Sequence, residues 1–226
     1  MVQLIFSLMF FSLTACAQPQ DLEFWVGRGH RSSTDTTKEY RLSPTVYFLY
    51  EVRKDKMTCR AWQIRNFYSA SGEKLQSVCQ ADYQQCLMQG SCDVIENGKV
   101  TSLNFQSRRR GSDVWSLYDH RRCPDGMGVA GHCLVPYRTV AADLEHWSVG
   151  DVIFVPSVVG LELPDGSVHD GYFTVKDTGS AIKGPHRFDF FIGRSATPRI
   201  ANFFTSLGFG DKNSNLTYRR AHPSEL

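Results

Sequence analysis

The sequence predicts a mainly β protein whose middle part is cross-linked by disulfide bonds. Short segments rich in β-branched and aromatic residues recur along the chain, and such segments favour strands. Turn signals separate several of them, including Glu96-Asn97-Gly98 and Pro164-Asp165-Gly166. Six cysteines fall between residues 59 and 133. These three features predict strands joined by tight turns, with the cross-links confined to the middle of the chain.

The composition excludes several classes of protein. A length of 226 residues allows one or two domains, and 42% apolar residues exclude a disordered chain. No apolar run in the sequence reaches the roughly 18 residues of a membrane-spanning helix. Lys and Arg total 25 and Asp and Glu total 23, so the net charge of +2 provides no field that attracts nucleic acid. We therefore expect a globular protein with no nucleic-acid partner.

The N-terminus resembles an export signal. The first 15 residues carry no charge and are rich in Leu, Ile, Phe and Met, although the usual basic residues are missing. A buried N-terminal helix is the alternative, but the polar run Gln-Pro-Gln-Asp follows at once. Leu-Thr-Ala-Cys, ending at Cys16, resembles a bacterial lipobox, in which the cysteine is lipidated, and we prefer this to an ordinary Ala-x-Ala cleavage site. Both interpretations export the protein, to the periplasm, the outer membrane or the medium.

Export changes how the other six cysteines are interpreted. In an oxidising compartment an even number predicts disulfides, here three, with 15 possible pairings. The alternative is a metal site that also uses His120 or His132. No Cys-x-x-Cys pair exists, so zinc is the weaker interpretation. The six residues are Cys59, Cys79, Cys86, Cys92, Cys123 and Cys133.

The first half of the chain combines predicted strands with one predicted helix. A polar segment, residues 18–43, precedes a strand from Pro44 to Val52, and residues 59–68 predict a second strand. Apolar residues at near-helical spacing predict a helix from Ser71 to about Met88. Residues 93–105 predict a hairpin, because Asn-Gly favours the backbone of a tight turn.

An arginine-rich stretch, residues 106–132, is predicted to be a long loop. It contains Arg108, Arg109 and Arg110 in succession. Such a run usually forms a solvated face, and the alternative is a surface that meets an anionic polymer.

The second half is predicted to be all β until a C-terminal helix. The predicted strands are residues 134–142, 151–159, 172–176 and 187–192. Thr197 and Pro198 then match the N-cap and first position of a helix, which Gly208 ends. The tail from Asp211 is polar.

The clearest chemical signal lies between Asp177 and Asp189. The two aspartates bracket a turn of small residues, and Asp189 stands between Phe188 and Phe190. Apolar surroundings and a second carboxylate both disfavour ionisation, so they raise the pKa of an acid. An acid kept protonated near neutral pH can donate a proton in catalysis. The alternative is structural: Asp177 caps the turn and Asp189 lies at a strand edge.

These residues resemble a known family. Asp-Thr-Gly-Ser-Ala-Ile-Lys-Gly at 177–184, followed by Asp189, resembles the three-aspartate domain of the membrane-bound lytic transglycosylase A family and related cell-wall enzymes. Tyr-Arg-Thr-Val-Ala-Ala-Asp at 137–143, with Val149-Gly150, is similar to the upstream signature of this domain. Gln-Gly-Ser at 89–91 resembles that family's Gln-Gly-Ser-Gly.

The resemblance implies a six-stranded double-psi β-barrel, and it is dense over residues 134–193 and thin over 44–105. With the residue patterns above, the expected fold is this barrel with a disulfide-rich α+β insertion, which is not typical of the family, and a C-terminal helix. The expected organisation is a signal peptide at 1–17, an N-terminal segment at 18–43, the first barrel strands at 44–70, a cysteine-rich insertion at 71–133, the three-aspartate barrel domain at 134–210 and a polar tail at 211–226.

The resemblance also implies an activity. Asp143, Asp177 and Asp189 would be the three aspartates, with Asp189 the catalytic one. Lytic transglycosylases cleave the β-1,4 bond between N-acetylmuramic acid and N-acetylglucosamine with a single acid and base, which leaves a 1,6-anhydro end. The substrate-binding residues would be Thr178, Gly179, Lys183, Gln89 and Ser91. We expect a monomer that binds peptidoglycan glycan strands, needs no metal or other cofactor, and meets the membrane only through a lipid on Cys16.

Two other classes of function stay open at this point. One is a non-catalytic glycan-binding barrel, like the expansin-type relatives of the fold. The other is a disulfide-linked secreted interaction protein in which the barrel is only a scaffold. Fold alone does not decide between them, because function depends on the site. The presence of all three aspartates favours the enzyme.

Overall fold

The computed structural model describes residues 36–196, 203–211 and 213–226, and it confirms the mainly β class. The strands in these ranges are β1 (Glu39–Arg41), β2 (Ser43–Arg53), β3 (Ile64–Tyr68), β4 (Lys74–Cys79), β5 (Ser91–Glu96), β6 (Lys99–Arg109), β7 (Ser112–Tyr118), β8 (Thr139–Ala142), β9 (Val152–Phe154), β10 (Tyr172–Asp177), β11 (Arg187–Ser195) and β12 (Thr217–Ala221). The helices are α1 (Gln80–Gln89) and α2 (Phe203–Ser206). None of the helices described here combines the length and apolar character needed to cross a bilayer. The predicted signal peptide, with Cys16, lies outside the described residues.

The long strand β2 joins two groups of strands within one sheet. Residues Ser43 to Tyr50 pair in parallel with β11, and Tyr50 to Arg53 pair in parallel with β5. We call β11, the strands beyond it (β8, β10, β9, β12 and β1) and the part of β2 paired with β11 the aspartate side. We call β5, the strands beyond it (β6, β7, β3 and β4), α1 and the loop up to Cys133 the cysteine-rich side. This order includes twelve strands, and the predicted six-stranded double-psi barrel stays a prediction.

Aromatic packing holds the aspartate side together. Phe173, Phe188 and Phe190 are almost completely buried. The Phe173 and Phe190 rings meet edge to face with centroids 4.8 Å apart, and Phe188 packs on Trp147 at 4.9 Å. Burying one phenylalanine side chain contributes about 1.5–3 kcal/mol. The strands that carry the aspartates are therefore fixed by packing on one face.

Three disulfides cross-link the cysteine-rich side, as predicted. The pairs are Cys59–Cys79, Cys86–Cys92 and Cys123–Cys133, so each cysteine bonds to its neighbour in sequence. The first holds the chain before β3 against the end of β4, the second joins α1 to β5, and the third closes a loop of residues 123–133. Disulfides persist in oxidising compartments, so these bonds fit an exported protein.

The predicted helix is wrong in its first half. Lys74–Cys79 forms β4, antiparallel to β3, and α1 begins only at Gln80. A tight turn precedes β4, in which Gly72 has a φ of +84° and donates its NH to the Ser69 carbonyl at 3.0 Å. The apolar residues that predicted one helix therefore belong to a strand and a helix, because pairing with β3 keeps the chain extended as far as Cys79. The helix ends at Gln89, close to the predicted end at about Met88, and Gly90 follows it in the left-handed conformation.

The hairpin over residues 93–105 is confirmed, and a second hairpin follows it. Asn97 and Gly98 have φ values of +49° and +77° and join β5 to β6. The loop predicted over 106–132 is wrong in its first part, because β6 continues to Arg109 and β7 pairs with it. Arg110 and Gly111, with φ of +49° and +81°, form the turn between them.

Two strands lie in segments whose polar composition predicted irregular chain. β1 lies at the end of residues 18–43 and β12 within residues 211–226, and the two pair antiparallel. Tyr40 stacks on the buried Tyr218 at 5.7 Å, so few apolar residues suffice to place both strands. β3, β8 and β9 are shorter than predicted.

The C-terminal helix is described only in part. α2 starts at Phe203, and Gly208 follows it with a φ of +90°. Thr197 and Pro198, its predicted start, lie outside the described residues.

Candidate active site

A cleft of about 990 Å³ is lined by residues of both the aspartate side and the cysteine-rich side. The aspartate side contributes residues from β2, β8 and β11 and the turn at 177–182. The cysteine-rich side contributes the end of α1, the start of β5, part of β6 and the loop residues 127–131. The charged residues in the described lining are Asp177, Asp189 and Arg108. The cleft therefore brings together residues that are far apart in the sequence.

Asp189 lies in the middle of β11, with Thr45 opposite it on β2 and Ala141 opposite it on β8. Side chains alternate along a strand, so Asp189 points away from Phe188 and Phe190 and shares its face with Phe191. Burial raises the pKa of Asp189 to about 6, while the nearby Thr45 hydroxyl and the charge of Arg187 oppose the rise. The predicted direction is therefore correct, but the neighbouring phenylalanines on the strand are not the cause.

One oxygen of Asp189 lacks a well-formed hydrogen bond. Its Oδ1 atom and the Thr45 Oγ1 atom are both buried, and neither has a hydrogen bond of ordinary geometry with a residue that the structure describes, although the Thr45 hydroxyl is near enough to lower the pKa of Asp189. A buried polar atom without a well-formed hydrogen bond costs free energy, so this carboxyl is suited to holding a proton. The carboxyl therefore combines a raised pKa with a buried oxygen that lacks a well-formed hydrogen bond.

Asp177 ends β10 and faces the same cleft. The Tyr47 hydroxyl donates a hydrogen bond to its Oδ2 atom at 3.0 Å. The pKa of Asp177 is raised to about 6, chiefly by burial, and the charge of Asp189 contributes to the rise. Hydrogen bonds from the Thr178 and Val129 backbone amides and from Tyr47 work in the opposite direction. A buried carboxyl beside an ionised one can hold its proton near neutral pH, so this pair can supply a general acid.

Asp143 is placed differently from the other two aspartates. It is not part of the described cleft lining, and its carboxylate accepts hydrogen bonds from the backbone amides of Gly184 at 2.8 Å and Glu145 at 3.2 Å. The Gly184 bond is the main reason why the pKa of Asp143 is lowered. Lys183 is exposed, and its Nζ atom lies 4.0 Å from Asp143 Oδ1. Asp143 is thus an ionised anchor for the end of the 177–184 turn.

The other predicted site residues are mostly in the cleft. Thr178, Gly179, Gln89 and Ser91 belong to its lining, whereas Lys183 does not. Two of them also have structural partners: Gln89 Oε1 accepts the backbone NH of Phe48 at 3.0 Å, and Thr178 Oγ1 donates to the Ala142 carbonyl at 2.9 Å.

Sequence reasoning missed the loop at residues 127–131. The Cys123–Cys133 disulfide closes it, and Asn104 Nδ2 on β6 donates to the Met127 carbonyl at 3.1 Å. Gly128 approaches β10 so closely that a Cβ there would overlap the Lys176 carbonyl oxygen. This approach lets the Val129 amide interact with Asp177. The Gly-x-Gly-x-x-Gly spacing between the two cysteines was an available signal of a tightly placed loop.

Tyr47 was interpreted only as a strand residue. It follows Thr45 by two positions and so lies on the same face of β2, directed at the aspartates. Across residues 36–196, 203–211 and 213–226, no group of three or more His, Cys, Asp or Glu side chains is arranged to hold a metal ion.

Comparison with known proteins matches part of this chain to a protein family and its fold to solved structures. Residues 138–201 match the family model described as the 3D domain. The structure resembles a membrane-bound lytic murein transglycosylase from Agrobacterium tumefaciens, with a TM-score of 0.51 and 14% sequence identity over 83% of this chain and 76% of that chain. It also resembles E. coli MltA with bound chitohexaose, with a TM-score of 0.48 and 13% identity over 69% of this chain and 65% of that chain. No curated protein matches the sequence.

Proposed function

We propose that this chain, in which residues 138–201 match the 3D domain family model, is a lytic transglycosylase that cleaves the β-1,4 bond between N-acetylmuramic acid and N-acetylglucosamine in peptidoglycan. The Agrobacterium protein that shares the fold is named a lytic murein transglycosylase, but fold alone carries no reaction. Asp189 carries the proposal: it is a carboxyl with a pKa of about 6 and a buried oxygen that lacks a well-formed hydrogen bond, and it lines a cleft.

One carboxyl suffices for the proposed reaction. Asp189 in its acid form donates its proton to the glycosidic oxygen as the bond from that oxygen to C1 of the muramic acid breaks. The resulting carboxylate then accepts the proton of the C6 hydroxyl of the same sugar, whose oxygen bonds to C1. The products are a 1,6-anhydro end and a free C4 hydroxyl, and Asp189 is protonated again. No water is consumed, unlike in the two-carboxylate schemes of glycoside hydrolysis.

Asp177 and Asp143 have supporting roles in this proposal. Asp177 lies in the same cleft, and the charge of Asp189 raises its pKa. Because such a coupling acts in both directions, we assign to a negative charge on Asp177 the role of keeping Asp189 protonated at higher pH. Asp143 holds Gly184 and so fixes the turn that follows Asp177.

The cleft residues provide the contacts with the glycan. We assign Thr178, Gly179 and Ser91 to hydrogen bonds with sugar hydroxyl and acetamido groups. Gln89 contributes through its amide nitrogen, because its oxygen is taken by Phe48. Lys183 is exposed outside the described cleft lining, so we assign it to sugars beyond the cleft.

The three disulfides support export of the enzyme. We propose that residues 1–17 direct the export and that Cys16 becomes the lipidated N-terminus, which would hold a monomeric enzyme at the outer membrane. Cleavage ahead of free secretion is the other outcome, and the intact mass of the mature protein distinguishes the two.

The experiment is digestion of purified peptidoglycan by the wild type, Asp189→Asn and Asp177→Asn, with the products identified by mass spectrometry. We expect 1,6-anhydro ends from the wild type and a loss of about 10²- to 10⁴-fold in turnover for Asp189→Asn, which removes the proton but keeps the shape. Wild-type turnover should fall as the pH rises through about 6, because the acid form of Asp189 is lost.

Asp177→Asn is the matched control. It removes one carboxyl of the pair and should lower the pKa of Asp189, so the activity profile should move toward acid pH. Circular dichroism confirms that both variants fold. Wild-type turnover by folded Asp189→Asn, or reducing ends in place of anhydro ends, would contradict the mechanism. Glycan binding without any product would favour the non-catalytic barrel.

A further inference from the structure

The charges in the cleft are divided between its two walls. The aspartate side contributes Asp177 and Asp189, and the cysteine-rich side contributes Arg108 on β6. Arg108 is the single cationic side chain in the described lining of the cleft. A polymer of neutral sugars would give no reason for a cation at this position.

One hydrogen bond orients the guanidinium of Arg108 and leaves its other donors available. Its Nε atom donates to Asp113 Oδ1 at 2.8 Å, and the other oxygen of Asp113 accepts the Tyr83 hydroxyl at 3.0 Å. Neither terminal nitrogen of Arg108 forms a hydrogen bond with a residue that the structure describes, and the side chain is 60% exposed. Asp113 therefore fixes one edge of the planar group and leaves its paired terminal donors accessible.

The stabilising effect of the cross-strand pair Arg108–Asp113 does not explain why Arg108 lies at the cleft. Arg108 and Asp113 stand opposite each other on β6 and β7, and exposed ion pairs of this kind contribute little to stability. The Asp113 side chain is 11% exposed, whereas the Arg108 side chain is largely exposed at the cleft. Its open donors are thus available for a ligand.

The two following arginines differ from Arg108. Arg109 is the next residue on β6, so its side chain points to the opposite face of the strand. Arg110 lies in the turn with a φ of +49°. Neither belongs to the described cleft lining. Three consecutive arginines with equal charge therefore provide one residue at the cleft and two matched controls away from it.

We propose that Arg108 binds a carboxylate carried by the glycan and thereby selects acidic glycan strands over neutral ones such as chitin. The paired donors of a guanidinium match the two oxygens of a carboxylate, and the bond is stronger than one between neutral groups. In peptidoglycan such a carboxylate is either the free lactyl group of muramic acid or a carboxyl of the stem peptide. This inference rests on the proposed function, because it places the glycan in the same cleft.

The test measures binding by full-length protein in the Asp189→Asn background, where the ligand is not consumed. The ligands are denuded glycan strands with free lactyl carboxylates, strands that keep their stem peptides, the same two preparations with carboxyls converted to amides, and chitohexaose. Arg108→Gln and Arg109→Gln are compared, and Arg110→Gln serves as a second control. Thermal melts confirm that all variants are folded.

We expect Arg108→Gln to weaken binding of a carboxylate-bearing strand by about tenfold or more, as for a charge-assisted hydrogen bond. Its effect on amidated strands and on chitohexaose should be absent, and Arg109→Gln and Arg110→Gln should bind as the parent does. A loss confined to denuded strands identifies the lactyl carboxylate, and a loss confined to peptide-bearing strands identifies the stem.

Equal binding by Arg108→Gln and the parent overturns the inference. Equal weakening by all three variants also overturns it, since that result reports only the general charge of the arginine run. If wild-type protein releases anhydro ends while Arg108→Gln binds normally, the proposed function survives and this inference alone fails. If no glycan binds even the Asp189→Asn parent, both fail together.

Discussion

The two walls of the cleft are built in different ways. On the aspartate side, the strands carrying Asp177 and Asp189 are packed on buried phenylalanines, and both carboxyls have pKa values raised by burial. On the cysteine-rich side, disulfides hold the chain, and Arg108 and Met88 are largely exposed. Exclusion of water raises the pKa of a carboxyl, whereas recognition of a flexible polymer needs accessible groups. The difference points to proton chemistry on one wall and recognition on the other.

A buried ion pair joins the two walls, and breaking it should have the largest effect on stability. Arg194 on β11 donates to Glu51 on β2 and to Asp93 on β5, both at 2.8 Å. Asp93 is completely buried. Arg194→Met removes the guanidinium from this charge and leaves His120, whose Nδ1 atom lies 3.4 Å from Asp93 Oδ2, as its ion-pair partner. We expect the free energy of unfolding to fall by up to about 3–5 kcal/mol in urea denaturation.

The double variant Arg194→Met/Asp93→Asn tests the cause. An amide at position 93 needs no counter-charge, and the Ser102 hydroxyl, 2.5 Å from Asp93 Oδ1, stays available as a partner. The second substitution should therefore recover part of the loss. A single variant that unfolds at the wild-type urea concentration would show that the two walls are held by packing alone.

Removing single disulfides should separate stability from cleft geometry. Replacing both cysteines of either Cys123–Cys133 or Cys59–Cys79 by serine should cost about 2–4 kcal/mol, because the unfolded chain gains freedom. Only the first pair closes the loop that carries Val129 to Asp177. We therefore expect the first double variant to lose peptidoglycan turnover as well, at temperatures where it is still folded, while the second keeps it. Equal turnover by both would exclude a role for the loop in the site.

A smaller effect should appear in the pH dependence of stability. The pKa of Asp189 in the folded protein, about 6, lies above its ordinary value of 3.8, so its contribution to stability is present at low pH and is lost as the pH rises from about 4 through 6. Asp189→Asn cannot ionise and should be more stable than the wild type by about 1–3 kcal/mol at pH 7.5. The difference should vanish near pH 4, as measured by thermal or urea unfolding.

Asp143→Asn is a control for which we expect the opposite dependence of stability on pH. Hydrogen bonds from backbone amides lower the pKa of Asp143, so its contribution is present above the ordinary pKa and is lost as the pH falls below it. This variant should be less stable than the wild type at pH 7.5, and the difference should shrink in acid. Matching pH profiles for the two variants would mean that the two aspartates do not differ in environment.

The strands around the site were predictable because their signals are local. β-branched and aromatic residues from Thr45 to Val52 mark β2, and Asn97-Gly98 marks a hairpin. The start of α1 was not predictable from spacing, because β4 extends to Cys79 only by pairing with β3 and bonding to Cys59. Apolar spacing does not distinguish a short strand followed by a helix from a longer helix.

The candidate site likewise combines features that the sequence predicts with features that it does not predict. Asp177 and Asp189 could be named from their motif, and a raised pKa could be expected. The source of burial could not: Phe188 and Phe190 flank Asp189 in sequence but lie on the other face of β11, and Tyr47 and Ala141 come from other strands. The separation of Asp143 from the other two aspartates was equally invisible, because it depends on where Gly184 turns back to meet it.

The mainly β class, the presence of three disulfides and the residues of the 3D domain motif are readable from the sequence, because each follows from composition, parity or local spacing. The pairing of the cysteines, the carboxyls that share a cleft and the one arginine of three that reaches it are visible only in the folded chain. These outcomes depend on strand register and on the side of a strand that a residue occupies. A shift of one residue in either would exchange Arg108 for Arg109, or Asp189 for Phe190, at the cleft.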